Sequence, residues 1–187
     1  MRIDASKKAK DVIIYYLRMY FENKQNFVHL LPENLTDDVF DNMQIYDTSP
    51  EVLQKLPLVV VAGGPGKMIT SGLSDFASEL YTNDGDLEGY LYGGQYEFTI
   101  QVEVATRTTL EREALIDIVA SALRFSIRRQ MEAHGILIKD LSYSGENKIN
   151  YSSDYIYTST LNLVTWSEWY DTYKLLPIDK ITTKLQN

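Results

Sequence analysis

Tyr96, Phe98, Ile100, Val102 and Val104 alternate with Glu97, Thr99, Gln101 and Glu103. A period of two sends successive side chains to opposite faces of a strand, so the segment predicts a half-buried strand with one wet face. Immediately afterwards the period changes. Leu110, Ala114, Leu115, Ile118, Val119, Ala122, Leu123, Ile127 and Met131 recur at helical spacing and form a broad apolar stripe able to cover a sheet. Thr108 and Glu111 make a capping box ahead of that stripe, and Gly135 stands where a C-terminal glycine cap belongs. One long helix is therefore expected between Thr108 and His134.

A second helix opens the chain. Ala9, Val12, Ile13, Tyr16, Leu17, Tyr20 and Phe21 share one face, with Asp4 or Ser6 as its cap. Residues Asn23 to Asn42 predict a loop with a short helical turn near Asp37, and Met43 to Thr48 a short strand. Leu56 to Ala62 is an apolar, β-branched run suited to a strand covered on both faces, and Gly63-Gly64-Pro65-Gly66 is expected to end it.

Further on, Ser71 to Asp86 is polar and irregular, with a turn signal at Asp84-Gly85. Leu87 to Tyr92 predicts a partner strand joined to the central one by a hairpin at Gly93-Gly94. Ile136 to Tyr143 predicts a strand, Ser144 to Asn147 a turn, and Tyr151 to Trp166 a long closing strand. On that strand Tyr155, Tyr157, Leu161 and Leu163 share one face, and Thr158, Thr160 and Asn162 the other.

Together these elements predict an α/β (α+β) fold: a mixed, mainly antiparallel sheet with an N-terminal helix and one long helix packed on it. Residues 1–173 form the single domain, with residues 174–187 as a C-terminal arm. At 187 residues the chain fills one core and not two comfortable ones.

Composition narrows the chemistry. Cysteine is absent, which removes disulfides, thiol catalysis and thiolate metal sites. His29 and His134 lie far apart in sequence without a carboxylate cluster beside either. The net charge of −8 argues against tight nucleic-acid binding, because phosphates need a basic face. The N-terminus lacks the apolar core of a signal peptide, and no run approaches a membrane span, so no membrane partner is expected.

Three local motifs fail closer reading. Ala62 to Lys67 follows an apolar strand as a phosphate loop does, but Val61 and Met68 replace its diagnostic glycine and hydroxyl. Asp37, Asp38 and Asp41 have the spacing of a magnesium motif without a second acidic motif, and fit a helix N-terminus. Asn83 to Glu88 lacks the late glutamate of a calcium loop. No catalytic residue, metal ligand or cofactor is assigned, and the chain is not expected to be an enzyme.

Tyrosine is abundant, at 14 residues, and suits interfaces. Trp166, Trp169, Tyr170 and Tyr173 cluster near the last strand and are followed by Leu175 and Leu176. These six residues are the candidate partner interface, and the arm is expected to dock on a neighbouring subunit or the adjoining ring.

The order of elements resembles that of tail terminator (tail-completion) proteins of tailed bacteriophages. The residues that carry it are the central strand Gln95 to Val104, the helix entered through Arg107 to Val119, the strand opened by Gly135-Ile136-Leu137-Ile138, the closing strand Tyr155 to Trp166, and the N-terminal helix. The resemblance implies a structural protein of the virion head-to-tail junction, assembled in the bacterial cytoplasm. It implies a homo-oligomeric ring, of six subunits by analogy, that caps the tail tube. Its partners would be the tail tube protein, a sheath where one is present, and neck or connector proteins, with DNA passing through unbound. A neck or head-completion adaptor is the alternative. A phosphate-ligand enzyme using residues 63–67 and a small-molecule binder on the sheet are the rivals from other classes.

Overall fold

The computed structural model describes residues 5–47, 55–69, 76–151 and 154–174. Its centre is the alternating segment. Strand β4 (Leu87–Thr106) buries Phe98, Ile100, Val102 and Val104 on one face, while Glu97, Thr99 and Glu103 stay half-buried and Gln101 exposed on the other. Each Ile or Val so buried contributes roughly 1.5–3 kcal/mol.

Around β4 the described residues form a six-stranded sheet. Strands β1 (Gln44–Tyr46), β2 (Leu58–Ile69), β4, β6 (Asp154–Lys174) and β5 (Ile136–Tyr151) follow in that spatial order, and β3 (Phe76–Tyr81) also pairs with β4. Only the β1–β2 pairing is parallel among these; the rest are antiparallel. The architecture is the expected α+β one.

Helix α1 (Ala5–Glu22) buries Ala9, Ile13, Ile14, Leu17 and Tyr20 against the sheet, and the Arg18 guanidinium donates to the Ile45 carbonyl at 2.5 Å. Ser6 lies inside α1 and does not cap it; Asp4 lies outside the described residues. Three short 3-10 turns, Lys24–Asn26, Val28–Leu30 and Asp37–Phe40, fill the region read as a loop.

The long helix is interrupted. Helix α2 (Thr109–Ser121) starts on the expected cap, where Thr108 Oγ accepts from the Glu111 amide at 3.2 Å. The Glu111 carboxylate reaches the amide of Arg107, one residue earlier than an ideal box would have it. A π turn at Ala122–Ser126 follows, closed by the Ile127 amide on the Ala122 carbonyl at 2.9 Å. Helix α3 (Arg128–Ala133) then ends at Gly135, whose φ of +74° is the expected left-handed cap. The extra residue in the π turn keeps Leu123, Ile127 and Met131 all in the core.

Glycine-rich segments depart most from expectation. Gly63 to Gly66 does not end β2; the strand continues to Ile69 with a bulge between Gly63 and Gly66. Gly93-Gly94 is no hairpin, because both residues lie within β4 opposite Tyr170 and Trp169. The hairpin into β4 is made instead at Thr82 to Asp86, with Gly85 at φ +87°, and its other arm is β3, inside the segment read as irregular. Ser144 to Asn147 is likewise strand, bulged at Gly145, and β5 runs on to Tyr151. Finally, β6 extends eight residues past Trp166 to Lys174, so the aromatic cluster is part of the sheet rather than a segment following it.

Candidate assembly surface

Cross-strand register decides which residues share a face. Phe98, Ile100, Val102 and Val104 of β4 pair with Thr165, Leu163, Leu161 and Ser159 of β6, and these all point to the helices. The residues between them form the opposite face, which is free of helix among the described residues. On it Lys67 of β2, Glu97 of β4 and Trp166 of β6 form one transverse row, which Lys139 completes from the β5 bulge, two residues past the Leu137 that pairs with Trp166.

The contacts along this row are tight. Lys67 Nζ lies 3.0 Å from the Glu97 carboxylate, and the Trp166 indole N–H donates to the same carboxylate at 2.7 Å. Lys139 Nζ sits 3.3 Å from the Trp166 ring centroid, in cation–π geometry. The hydrogen bond from Trp166, then the one from Lys67, hold the Glu97 carboxyl below the usual glutamate range. Trp166 is therefore a half-buried fixture of the sheet, locked in orientation.

Beyond Gln95 the sheet changes character. Strand β2 ends at Ile69 opposite Gln95, and β5 begins at Ile136 opposite Ser167. What continues is a three-stranded blade made of β3, Leu87–Gly94 of β4 and Glu168–Lys174 of β6. At roughly 3.3 Å per residue, the 20-residue β4 is on the order of 60 Å long.

The blade exposes aromatic side chains on both faces. Tyr170 shares the helix-free face with Trp166; it is 53% exposed and donates to Glu168 at 3.0 Å. Tyr173 lies on the opposite face, 61% exposed and directly across from Tyr90. Phe76 stands within ring contact of Tyr90 and Tyr92, both centroids 6.2 Å away. The expected interface residues thus do not form one cluster, since alternation along β6 divides Trp166 and Tyr170 from Tyr173. Trp169 is placed by its backbone opposite Gly94, whereas Leu175 and Leu176 lie outside the described residues, as does the rest of the arm after Lys174. Phe76 and Tyr81, which complete the blade, escaped the sequence reading because β3 has no strict alternation.

Elsewhere the side chains hold the fold together. Residues 63–67 are strand, and a Cβ on Gly64 would stand 3.1 Å from the Thr99 carbonyl oxygen, so no cradle opens there. Asp37 and Asp41 are bridged by Lys24 at 3.3 and 2.5 Å, and Asp41 first of all raises the lysine pKa. Asn83 to Glu88 spans the β3–β4 turn. His134 packs edge-on against Tyr16, with Nδ1 2.8 Å from the Gln130 carbonyl. Arg112, buried in the first turn of α2, ties that helix to β5 through Glu146 at 2.8 Å. Among the described residues no group of three or more His, Asp or Glu side chains is arranged to hold a metal, and no helix is long and apolar enough to cross a membrane.

No protein-family model matches the sequence, and no curated protein matches it either.

Proposed function

We propose that this chain is a structural subunit of the head-to-tail junction of a tailed bacteriophage, a tail terminator that closes into a ring on the end of the tail tube. The observation that carries the reading is the blade. A sheet that runs past its own helices and exposes Phe76, Tyr81, Tyr170 and Tyr173 presents apolar surface for another protein. The order of elements that resembles terminators supports the same reading: N-terminal helix, long central strand, helix, and two closing strands.

On this reading the work is geometric. One face of the ring matches the last ring of the tube and stops its growth, and the other receives the neck. Rigidity is what such a part needs. The Lys67–Glu97–Trp166–Lys139 row stiffens the helix-free face across four strands, while α1 and α2 brace the other face. The net charge of −8 lets DNA pass without sticking. Virion localisation and the absence of catalysis belong to the same proposal.

Mass measurement in solution tests the ring. One discrete oligomer is expected, at six times the chain mass. Monomer at every concentration contradicts it.

A further inference from the structure

The π turn that breaks the long helix also builds a surface feature. With Ala122, Leu123 and Ile127 retained in the core, Phe125 is turned outward and is 71% exposed. The Arg124 guanidinium lies 5.9 Å from its ring centroid. Arg124, Arg128 and Arg129 are all exposed, within six residues that contain no acid. Lys139 of β5 adjoins them across a cleft of about 170 Å3 floored by Leu123 and Ile138. Some of this charge is already engaged: Arg128 pairs with Glu132 at 2.8 Å, Asp140 borders the cleft, and Lys139 covers Trp166. What remains is a basic ridge with one projecting aromatic, on a molecule of net charge −8.

The blade is its counterpart. Residues 76–94 and 168–174 carry Glu79, Asp84, Asp86, Glu88, Glu168 and Asp171 against Lys174 alone, a net charge of −5 out of −8 for the whole chain. Its aromatics supply apolar area beside that charge. Among the described residues no ion pair joins the ridge to the blade within one subunit; Arg128 and Lys174 pair with near neighbours.

Two copies meeting ridge to ridge or blade to blade would oppose like charges. Ridge to blade opposes unlike ones, and such a contact is heterologous, the kind that generates a ring where its rotation closes. We propose that the blade of one subunit docks on the Arg124–Arg129 ridge of the next copy of this chain, with Phe125 as the apolar centre of the contact. This deepens the ring reading above and rests on it.

Charge reversal tests the contact in the full chain. One variant carries Arg124→Glu, Arg128→Glu and Arg129→Glu; a second carries Glu79→Lys, Asp84→Lys and Asp86→Lys. All six positions are exposed, and circular dichroism verifies folding. Each variant alone should need a roughly tenfold or higher concentration to reach half-assembly by sedimentation. Mixing the two should restore assembly, because each then offers the other a matching pair of surfaces. The single change Phe125→Ser should weaken assembly in the same direction and serves if a triple variant does not fold. If wild type forms rings and these variants do so equally well, or if mixing restores nothing, the ridge–blade contact is overturned while the ring stands. Wild type that stays monomeric overturns both.

Discussion

The Trp166 indole N–H donates to the Glu97 carboxylate at 2.7 Å, joining β6 to β4 on the sheet face opposite α1 and α2. The same carboxylate takes Lys67 from β2, so one acid ties three strands. Because its folded pKa lies below its unfolded one, the charge contributes stability in full above about pH 4.3 and loses it as the pH falls through the folded value. Glu97→Gln should therefore be less stable than wild type at pH 7, and the gap should narrow on acidification to about pH 3. Urea unfolding followed by tryptophan fluorescence checks this. A gap that is equal at both pH values would mean that the charge does not matter.

The strand beneath the helices makes a harsher prediction. Ile100 and Val102 are fully buried between the sheet and the helix layer. Asp at either position buries an unpaired charge and should cost several kcal/mol, on the order of the whole stability of a domain. Variants with an unchanged melting temperature would show the facing of β4 to be wrong.

Gly89 allows β4 and β6 to approach each other inside the blade. A Cβ there would stand 2.3 Å from the Tyr173 carbonyl oxygen. Gly89→Ala should push the strands apart locally, speed amide hydrogen exchange at residues 87–92 and 170–174, and leave global unfolding nearly unchanged. It should also weaken ring formation. Unaltered exchange in the blade would contradict the pairing described.

Lys67 is an ion-pair partner of Glu97. Lys67→Ala should leave magnesium-dependent ATP and GTP binding where wild type has it, at none detectable by calorimetry. Saturable binding abolished by this substitution would revive the enzyme reading.

Where side chains alternate with strict polarity, the sequence was readable: β4, the stripe of α1, and the capping box at Thr108. Glycine misled it. Gly66 was read as part of a strand-ending loop, yet it stands where a Cβ would collide with Phe98, so the need for close approach places it inside a strand. The π turn left no trace, because Leu123, Ile127 and Met131 read as one helical stripe whether or not an extra residue intervenes. The aromatic interface was half legible. Trp166 and Tyr170 do share a face, but Tyr173 opposes them, and Phe76 and Tyr81 join only through the pairing of β3 with β4. The basic ridge and the acidic blade are separate in sequence from any motif, and only the fold displays them as two surfaces.

Electron microscopy of bacteriophage tail tubes assembled with and without this protein tests the central claim most directly. The account predicts tubes of defined length, each bearing a ring at one end, when the protein is present. Tubes that continue to elongate with bare ends in its presence would contradict it.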